Sequence, residues 1–201
     1  MTVKINADTS DGLKFVSDTS GAIDFQSNGV TKMSMDASGN LTANSFVGGG
    51  KVLQVVQTIK TNTTTVSNPT SYTEVSGLTV NITPSSTSNK VLIIGTYCIM
   101  GDTNTQGYAA FYRDTTQIGV GNAVGNRIKA STQAYPNHIN QATNSSFCFL
   151  DSPSSTSQIT YALRTRNQGS GNVYVNRSQT YTNSAASSTN ASTITVMEIQ
   201  G

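Results

Sequence analysis

Along most of this chain apolar residues alternate with polar ones, the period of a strand with one buried face rather than that of a helix. In the first fifty residues the alternation comes in three short pieces. Leu13 and Phe15, then Ile23 and Phe25, then Met33 and Met35 share one face, with Lys14, Asp24 and Ser34 on the other. Gly12, Gly21, Gly29 and Gly39 recur between them in the turn sequences Asp-Thr-Ser-Gly, Ser-Asn-Gly and Asp-Ala-Ser-Gly-Asn. The pattern predicts a hairpin meander with one apolar side. About a dozen apolar side chains over fifty residues cannot enclose a core of their own. The expected remedy is the same segment from other copies, packed around a symmetry axis so that these faces meet.

Gly48, Gly49 and Gly50 interrupt the pattern and are expected to act as a hinge between residues 1–50 and 51–201, with a close backbone approach at the axis as the alternative. Beyond them the strands are longer. They are predicted near Val52–Lys60, Tyr72–Val75, Leu78–Thr83, Lys90–Met100, Gly107–Arg113, Gln117–Val120, Ser145–Leu150, Gln158–Arg166, Asn172–Asn176 and Thr193–Ile199. Strands at this spacing without a helical pattern suggest a β-sandwich or jelly roll. Val91-Leu92-Ile93-Ile94 is apolar on both faces. It should be a central strand, covered by the opposite sheet on one side and by a neighbouring subunit on the other. Residues 122–144 and 178–192 read as long polar loops, where function or mobility concentrates.

Composition strengthens the all-β reading. Ser, Thr and Asn supply 75 of the 201 residues, and Glu occurs only at positions 74 and 198, a poor basis for helices. The most apolar run, Val91–Met100, is broken by Gly95, Thr96 and Tyr97, so no helical membrane span is expected. The opening residues lack the apolar region of a secretory signal, which predicts synthesis and retention in the cytoplasm. The net charge of +2 divides into −2 over residues 1–50 and +4 over the remainder, too little to predict nucleic acid as a partner. Cys98 and Cys148 sit in apolar runs and read as small buried residues of core strands; a disulfide would require facing strands, and no zinc-ligand spacing is present. No cofactor is expected.

The candidate chemistry is sparse. His138 is the lone histidine and has no nucleophile elbow to serve, so it is expected to hydrogen-bond in a loop or between subunits. Asp102, Asp114, Asp151, Glu74 and Glu198 are the carboxylates after residue 50, no two of them close in sequence. They are expected to be turn caps and surface charges rather than the acid pair of a glycan-cleaving enzyme. Asp residues before residue 50 stand in turns, with calcium ligation as the lesser alternative. Tyr135 and Tyr181 lie in the two long loops, beside Arg127 and Lys129 in one and Arg177 in the other. With His138 they form the predicted binding surface, since a ring with a polar tip suits stacking on sugar or protein. Arg164 and Arg166 alternate on one strand face and are expected to hold carboxylates or carbonyls of a neighbouring subunit.

Two stretches carry a resemblance. Gly-Leu-Lys-Phe-Val-Ser-Asp-Thr-Ser-Gly-Ala-Ile-Asp-Phe-Gln-Ser-Asn-Gly at 12–29 resembles the fibre repeats of tailed bacteriophages, cyanophages and marine phages in particular. Lys-Val-Leu-Gln-Val-Val-Gln at 51–57, Leu-Thr-Val-Asn-Ile-Thr-Pro at 78–84, Phe-Leu-Asp-Ser-Pro at 149–153, Val-Tyr-Val-Asn-Arg-Ser at 173–178 and Ser-Thr-Ile-Thr-Val-Met-Glu-Ile at 192–199 are similar to the carboxy-terminal domain of such fibres. The resemblance implies a homotrimeric virion protein: a β-stalk over residues 1–50, a jelly-roll-like knob over 51–201, and adhesion to a host-surface glycan or protein as its work. The number three comes with the resemblance. It also implies attachment to tail, baseplate or capsid through the amino terminus; since some phage fibres cleave glycans, the expectation of no enzymatic activity rests on the carboxylates and His138 above, and that of synthesis in the host cytoplasm on the missing signal. Family members often carry a long anchoring region there, whereas this chain reaches the repeat after about ten residues. The expected alternative is therefore a head fibre, capsid decoration or cement protein with no host ligand.

Overall fold

The computed structural model describes residues 21–43, 50–136, 138–185 and 187–201. Leu13 and Phe15 lie outside the described residues, as do Gly48 and Gly49. The described residues contain strands, turns and irregular segments and no helix. The chain divides into two units, residues 1–49 and 50–201.

The first unit holds a three-stranded antiparallel meander of β1 (Ile23–Ser27), β2 (Val30–Met35) and β3 (Leu41–Ala43). Asn28 and Gly29 join β1 to β2 with φ of 50° and 73°. Two successive left-handed residues make a type I′ turn, whose twist matches that of the flanking strands, and Asn-Gly is the pair that tolerates it best. Asp36 organises the next turn. Its Oδ1 accepts the backbone N–H groups of Ser38 and Asn40 at 2.9 Å each, and its Oδ2 accepts the Asn40 side-chain amide at 2.8 Å. The Asn40 side chain foremost, with the backbone donors, holds this carboxyl below the usual carboxylate range.

Pairing puts Ile23 opposite Met35 and Phe25 opposite Met33, while Met35 and Met33 face Leu41 and Ala43 on β3. Directly opposed residues share a face, so these six make one apolar side. The register slips between Phe25 and Gln26, leaving Lys32 as the extra residue. That bulge brings Val30, opposite Ser27, to the same side. The other side is polar: the Thr31 hydroxyl donates to Asp24 at 3.2 Å and accepts the Gln26 amide at 3.3 Å. Within the chain the apolar side is only partly covered, with Val30 and Leu41 about half exposed and Phe25 39% exposed.

The second unit consists of two antiparallel sheets. Its strands are β4 (Val52–Lys60), β5 (Thr64–Val66), β6 (Thr73–Ile82), β7 (Lys90–Gly101), β8 (Gly107–Arg113), β9 (Thr116–Ile118), β10 (Thr132–Ala134), β11 (Thr143–Asp151), β12 (Ile159–Asn167), β13 (Val173–Val175) and β14 (Ser192–Ile199). One sheet runs β10-β8-β12-β6, with β9 also along β8. The other runs β4-β14-β7-β13-β5, with β11 along the free edge of β7. The arrangement is all-β and compatible with a β-sandwich. The core lies between the sheets, with Leu78, Val80, Phe111, Tyr161 and Leu163 from one and Val91, Ile93, Tyr97, Ile194 and Val196 from the other. Phe111 is its centre: its ring stacks on Phe147 at 4.2 Å and meets Tyr97 edge-on at 5.6 Å. Gly95 on β7 leaves the space that this ring occupies, and a Cβ there would collide with it.

Several sequence expectations need correction. The predicted strands 72–75 and 78–83 are one strand, β6; Gly77, with φ of 81°, sits at an irregularity opposite Leu163 instead of a strand end. β5 (Thr-Thr-Val) and β10 (Thr-Gln-Ala) are further strands in stretches that the sequence pattern does not mark, each with a single apolar residue, whereas the equally short β13 is Val-Tyr-Val. Cys98 is buried as expected, but Cys148 is exposed on the outer face of β11, and both are free. Their strands are neighbours, yet Cys98 pairs with Asn144 and Cys148 with Ile94, so the two thiols stand four positions apart.

Two carboxylates also depart from the surface role expected of them. Asp151 is nearly buried and ties the sheets together, accepting Nη1 of Arg113 at 2.9 Å on both oxygens and the Tyr161 hydroxyl at 2.7 Å. Glu198 is 1% exposed. It accepts Nε2 of Gln54 at 2.7 Å, Nδ2 of Asn89 at 2.6 Å, and the backbone N–H and hydroxyl of Ser85 at 2.6 and 2.8 Å. Burial alone would raise its pKa; these four donors outweigh burial and bring it down to about 2.

Candidate functional site: an aromatic and basic cleft

The outward face of the β10-β8-β12-β6 sheet is built from the alternate residues that the core does not use. On β8, Ala109 and Phe111 point inward, leaving Tyr108 and Tyr112 outward. Register sets Gln133, Tyr108 and Arg166 side by side across β10, β8 and β12, and Gln117 beside Tyr112 on β9 and β8. Tyr72, just before β6, covers this row: its ring lies 5.8 Å from that of Tyr112 and 5.9 Å from the Arg166 guanidinium. Arg164 stacks on the far side of Tyr112 at 4.3 Å. Tyrosine rings and guanidinium groups thus alternate over the sheet.

Residues 119–131 form the opposite wall. Their anchor is the backbone carbonyl of Lys129, which accepts both the Tyr72 hydroxyl and Nε2 of Gln117, the latter at 2.9 Å. Burial, and secondarily the neighbouring Tyr112, pushes the Tyr72 phenol well above its ordinary pKa, so it stays a neutral donor in this contact. Between wall and sheet lies a cleft of about 1000 Å³. Arg127, Lys129 and Arg166 line it, together with the amides of Gln117, Gln133 and Gln168, and no acidic residue does. Among the described residues none of these three cations has a carboxylate partner within 4 Å.

The six residues of the predicted binding surface separate into groups. Arg127 and Lys129 belong to the cleft. Arg177 and Tyr181 form a second cluster: the Arg177 guanidinium lies 4.8 Å from the Tyr174 ring and 5.0 Å from that of Tyr181, and donates to the carbonyls of Ser178 and Gln179. His138 is exposed, and its Nδ1 accepts the backbone N–H of Asn140 at 3.2 Å, a turn-forming contact. Tyr135 is 45% exposed on the same loop, which meets the Arg177–Tyr181 loop through a hydrogen bond from the Thr180 N–H to the Ile139 carbonyl at 3.0 Å. Arg164 and Arg166 find acceptors within the chain. Arg164 donates to the Asp114 carbonyl at 2.9 Å and lies 4.0 Å from Glu74, and Arg166 donates to the Asn167 carbonyl. Sequence reasoning did not place Tyr72, Tyr108, Gln133 or Arg166 in a common site. The alternation of Tyr108 and Tyr112 with the inward Ala109 and Phe111 was the available signal. Among the described residues no group of three His, Cys, Asp or Glu is placed to hold a metal ion, and no helix is long and apolar enough to cross a membrane.

The outward face of the other sheet is of a different kind. Register aligns Val55, Met197, Leu92 and Leu150 in one row across β4, β14, β7 and β11. The next rows are Gln57, Thr195, Ile94, Cys148 and then Ile59, Thr193, Thr96, Ser146. Val55 and Ile59 are more than half exposed, Leu150 is 48% and Ile94 39% exposed, and no charged residue stands in these rows. β7 is therefore central and apolar on both sides, with Val91 and Ile93 in the core and Leu92 and Ile94 facing away from it.

Comparison with known proteins adds little to these observations. No protein-family model matches the chain, and no curated protein does. Among solved structures, one of the Gx strain of infectious bursal disease virus is similar at 12% identity with a TM-score of 0.30, over 80% of this chain and 42% of that one. The chain thus spans less than half the length of that neighbour.

Proposed function

We propose that the chain is a non-enzymatic structural protein of a tailed-phage virion, a homotrimeric fibre with residues 1–50 as stalk and 51–201 as a jelly-roll-like knob that adheres to the host surface. Besides the resemblance of its repeats, one observation supports the assembly: the uncharged rows across β4, β14, β7 and β11, in which Val55, Met197, Leu92, Leu150, Ile94 and Ile59 stand among Gln, Thr and Ser. Four strands about 4.8 Å apart and the five residues per strand that these rows span, rising about 3.3 Å each, give a plan area on the order of 300 Å². That is part of the roughly 800 Å² per partner of a stable interface, so the rest of the contact has to come from the residues around the rows. These rows themselves carry no charge, and the exposed Lys90 flanks them in the next row of β7. Three copies arranged about a three-fold axis would turn these faces towards one another. The half-covered apolar side of β1–β3 asks for the same kind of partner.

The other sheet supports adhesion: its cleft is open and polar, and in an assembly of copies it would be repeated, so that weak contacts add up by multivalency. Mass in solution tests the assembly. The expected value is three times 21.1 kDa, and Leu92→Lys with Val55→Lys is expected to lower it while the β-sheet circular dichroism persists. A folded wild-type chain that stays monomeric at high concentration overturns the reading. Labelled antibody on virions tests the placement: tail or baseplate supports adhesion, and capsid faces would replace it by decoration.

A further inference from the structure

We infer that the cleft on the β10-β8-β12-β6 sheet binds an acidic saccharide, with the acid group on Arg127, Lys129 and Arg166 and a sugar ring against Tyr108 and Tyr72. This names the ligand class behind the adhesion proposed above and rests on that reading for its biological setting, but it concerns the face opposite the one proposed for assembly.

Three observations meet here. The cleft of about 1000 Å³ is at the upper end of the range of small-ligand sites and open to solvent, which leaves room for more than one sugar. Its polar lining is made of amides, Gln117, Gln133, Gln168 and Asn126. An amide both donates and accepts, which is what a hydroxyl needs, whereas a site for a purely anionic ligand would present donors alone. Its charge is of one sign: three cations that, among the described residues, have no carboxylate within 4 Å leave room for a ligand carboxylate. The rings add the apolar contact. A pyranose has a C–H face that packs on an aromatic ring, and Tyr72 is held in place through its hydroxyl by the Lys129 carbonyl. Nucleic acid fits less well, since three cations neutralise few phosphates and the chain carries a net charge of only +2.

The experiment uses the full chain and three probes: hexuronic-acid oligosaccharides, the same oligosaccharides with their carboxyls reduced to alcohols, and a neutral glucan. Titration calorimetry is expected to show binding of the first, with affinity falling at least tenfold on carboxyl reduction. Arg127→Ala and Lys129→Ala, both exposed and outside the core, are each expected to weaken binding severalfold and to reduce its salt dependence. Tyr108→Ala should weaken the charged and reduced probes alike, and Tyr108→Phe should not. Equal affinity for charged and reduced oligosaccharides overturns the acid assignment while leaving adhesion to a neutral glycan. Uronate binding that ignores all three cleft variants overturns the site. If the chain adheres to host cells yet binds none of the probes, the ligand class is wrong and adhesion stands; if it adheres to nothing, both fall. The Leu92→Lys, Val55→Lys variant should keep the affinity of a single cleft, which separates this result from failure of assembly.

Discussion

At the scale of single residues the second unit shows how a chain poor in charge uses the few charges it has. Asp151 and Glu198 are both buried, and each is surrounded by donors from elements distant in sequence. A buried carboxylate without such donors would be strongly destabilising, so these residues act as fixed acceptors around which loops are organised. Glu198 fastens residues 85–89 to β14 and β4. Its folded-state pKa, about 2, lies below the ordinary value of 4.5. The unfolded chain therefore takes up the proton first as pH falls. The stabilisation is complete above about 4.5 and lost progressively as pH falls towards about 2. Urea unfolding measured from pH 7 to pH 2 should show the decline in that window. Glu198→Gln should lose about 2 kcal/mol at pH 7 by turning an acceptor into a donor facing other donors, and flatten the acid limb. An unchanged acid limb in that variant would place the titration elsewhere.

At the scale of elements, legibility followed length and period. The bounds of β4 and β8 coincide with the alternation in the sequence, because each strand has one face against the core and one away from it. The β1–β2 hairpin was equally plain from Asn28-Gly29. β5 and β10 are three residues long and lie along edges offered by β13, which itself pairs with β7, and by β8, and no local pattern announces that. The cleft was half legible for the same reason. Arg127 and Lys129 stood out as basic residues in a polar loop, but its floor joins Gln133, Tyr108 and Arg166 by pairing across three strands, which only the fold reveals. Gly95 is a further case. In sequence it looks like a weak point in β7; in the core it is where β7 makes room for the Phe111 ring. Gly95→Ala should cost about 1–3 kcal/mol by overpacking. The loss should shrink in a Phe111→Leu background, where the colliding ring is gone. Equal losses in both backgrounds, by chemical denaturation, would mean that the backbone of β7 and not the ring sets the requirement.

At the scale of the whole second unit, the two outward faces divide the labour. One carries rings, amides and three cations that, among the described residues, have no carboxylate within 4 Å; the other carries uncharged rows with exposed aliphatic side chains among Gln, Thr and Ser. Exposed aliphatic side chains grouped as those of Val55, Ile59, Ile94 and Leu150 are call for a partner. Cys148 gives a direct way to ask whether other copies supply it. Its thiol stands in the second row, on the far side of Ile94, and is exposed in the isolated chain. Cys98, by contrast, is buried, and burial raises its thiol pKa, with Asn190 partly opposing; it should stay silent until the protein unfolds. A thiol reagent applied to the native protein therefore reads one site. If copies cover the aliphatic rows, labelling of Cys148 should be at least tenfold slower in the wild type than in the Leu92→Lys, Val55→Lys variant. The contrast should fade on dilution, as mass action releases subunits. Labelling at the rate of a free thiol in both proteins, at every concentration, would show the face open to water, and the partner for β4, β14, β7 and β11 would have to be sought in a different protein.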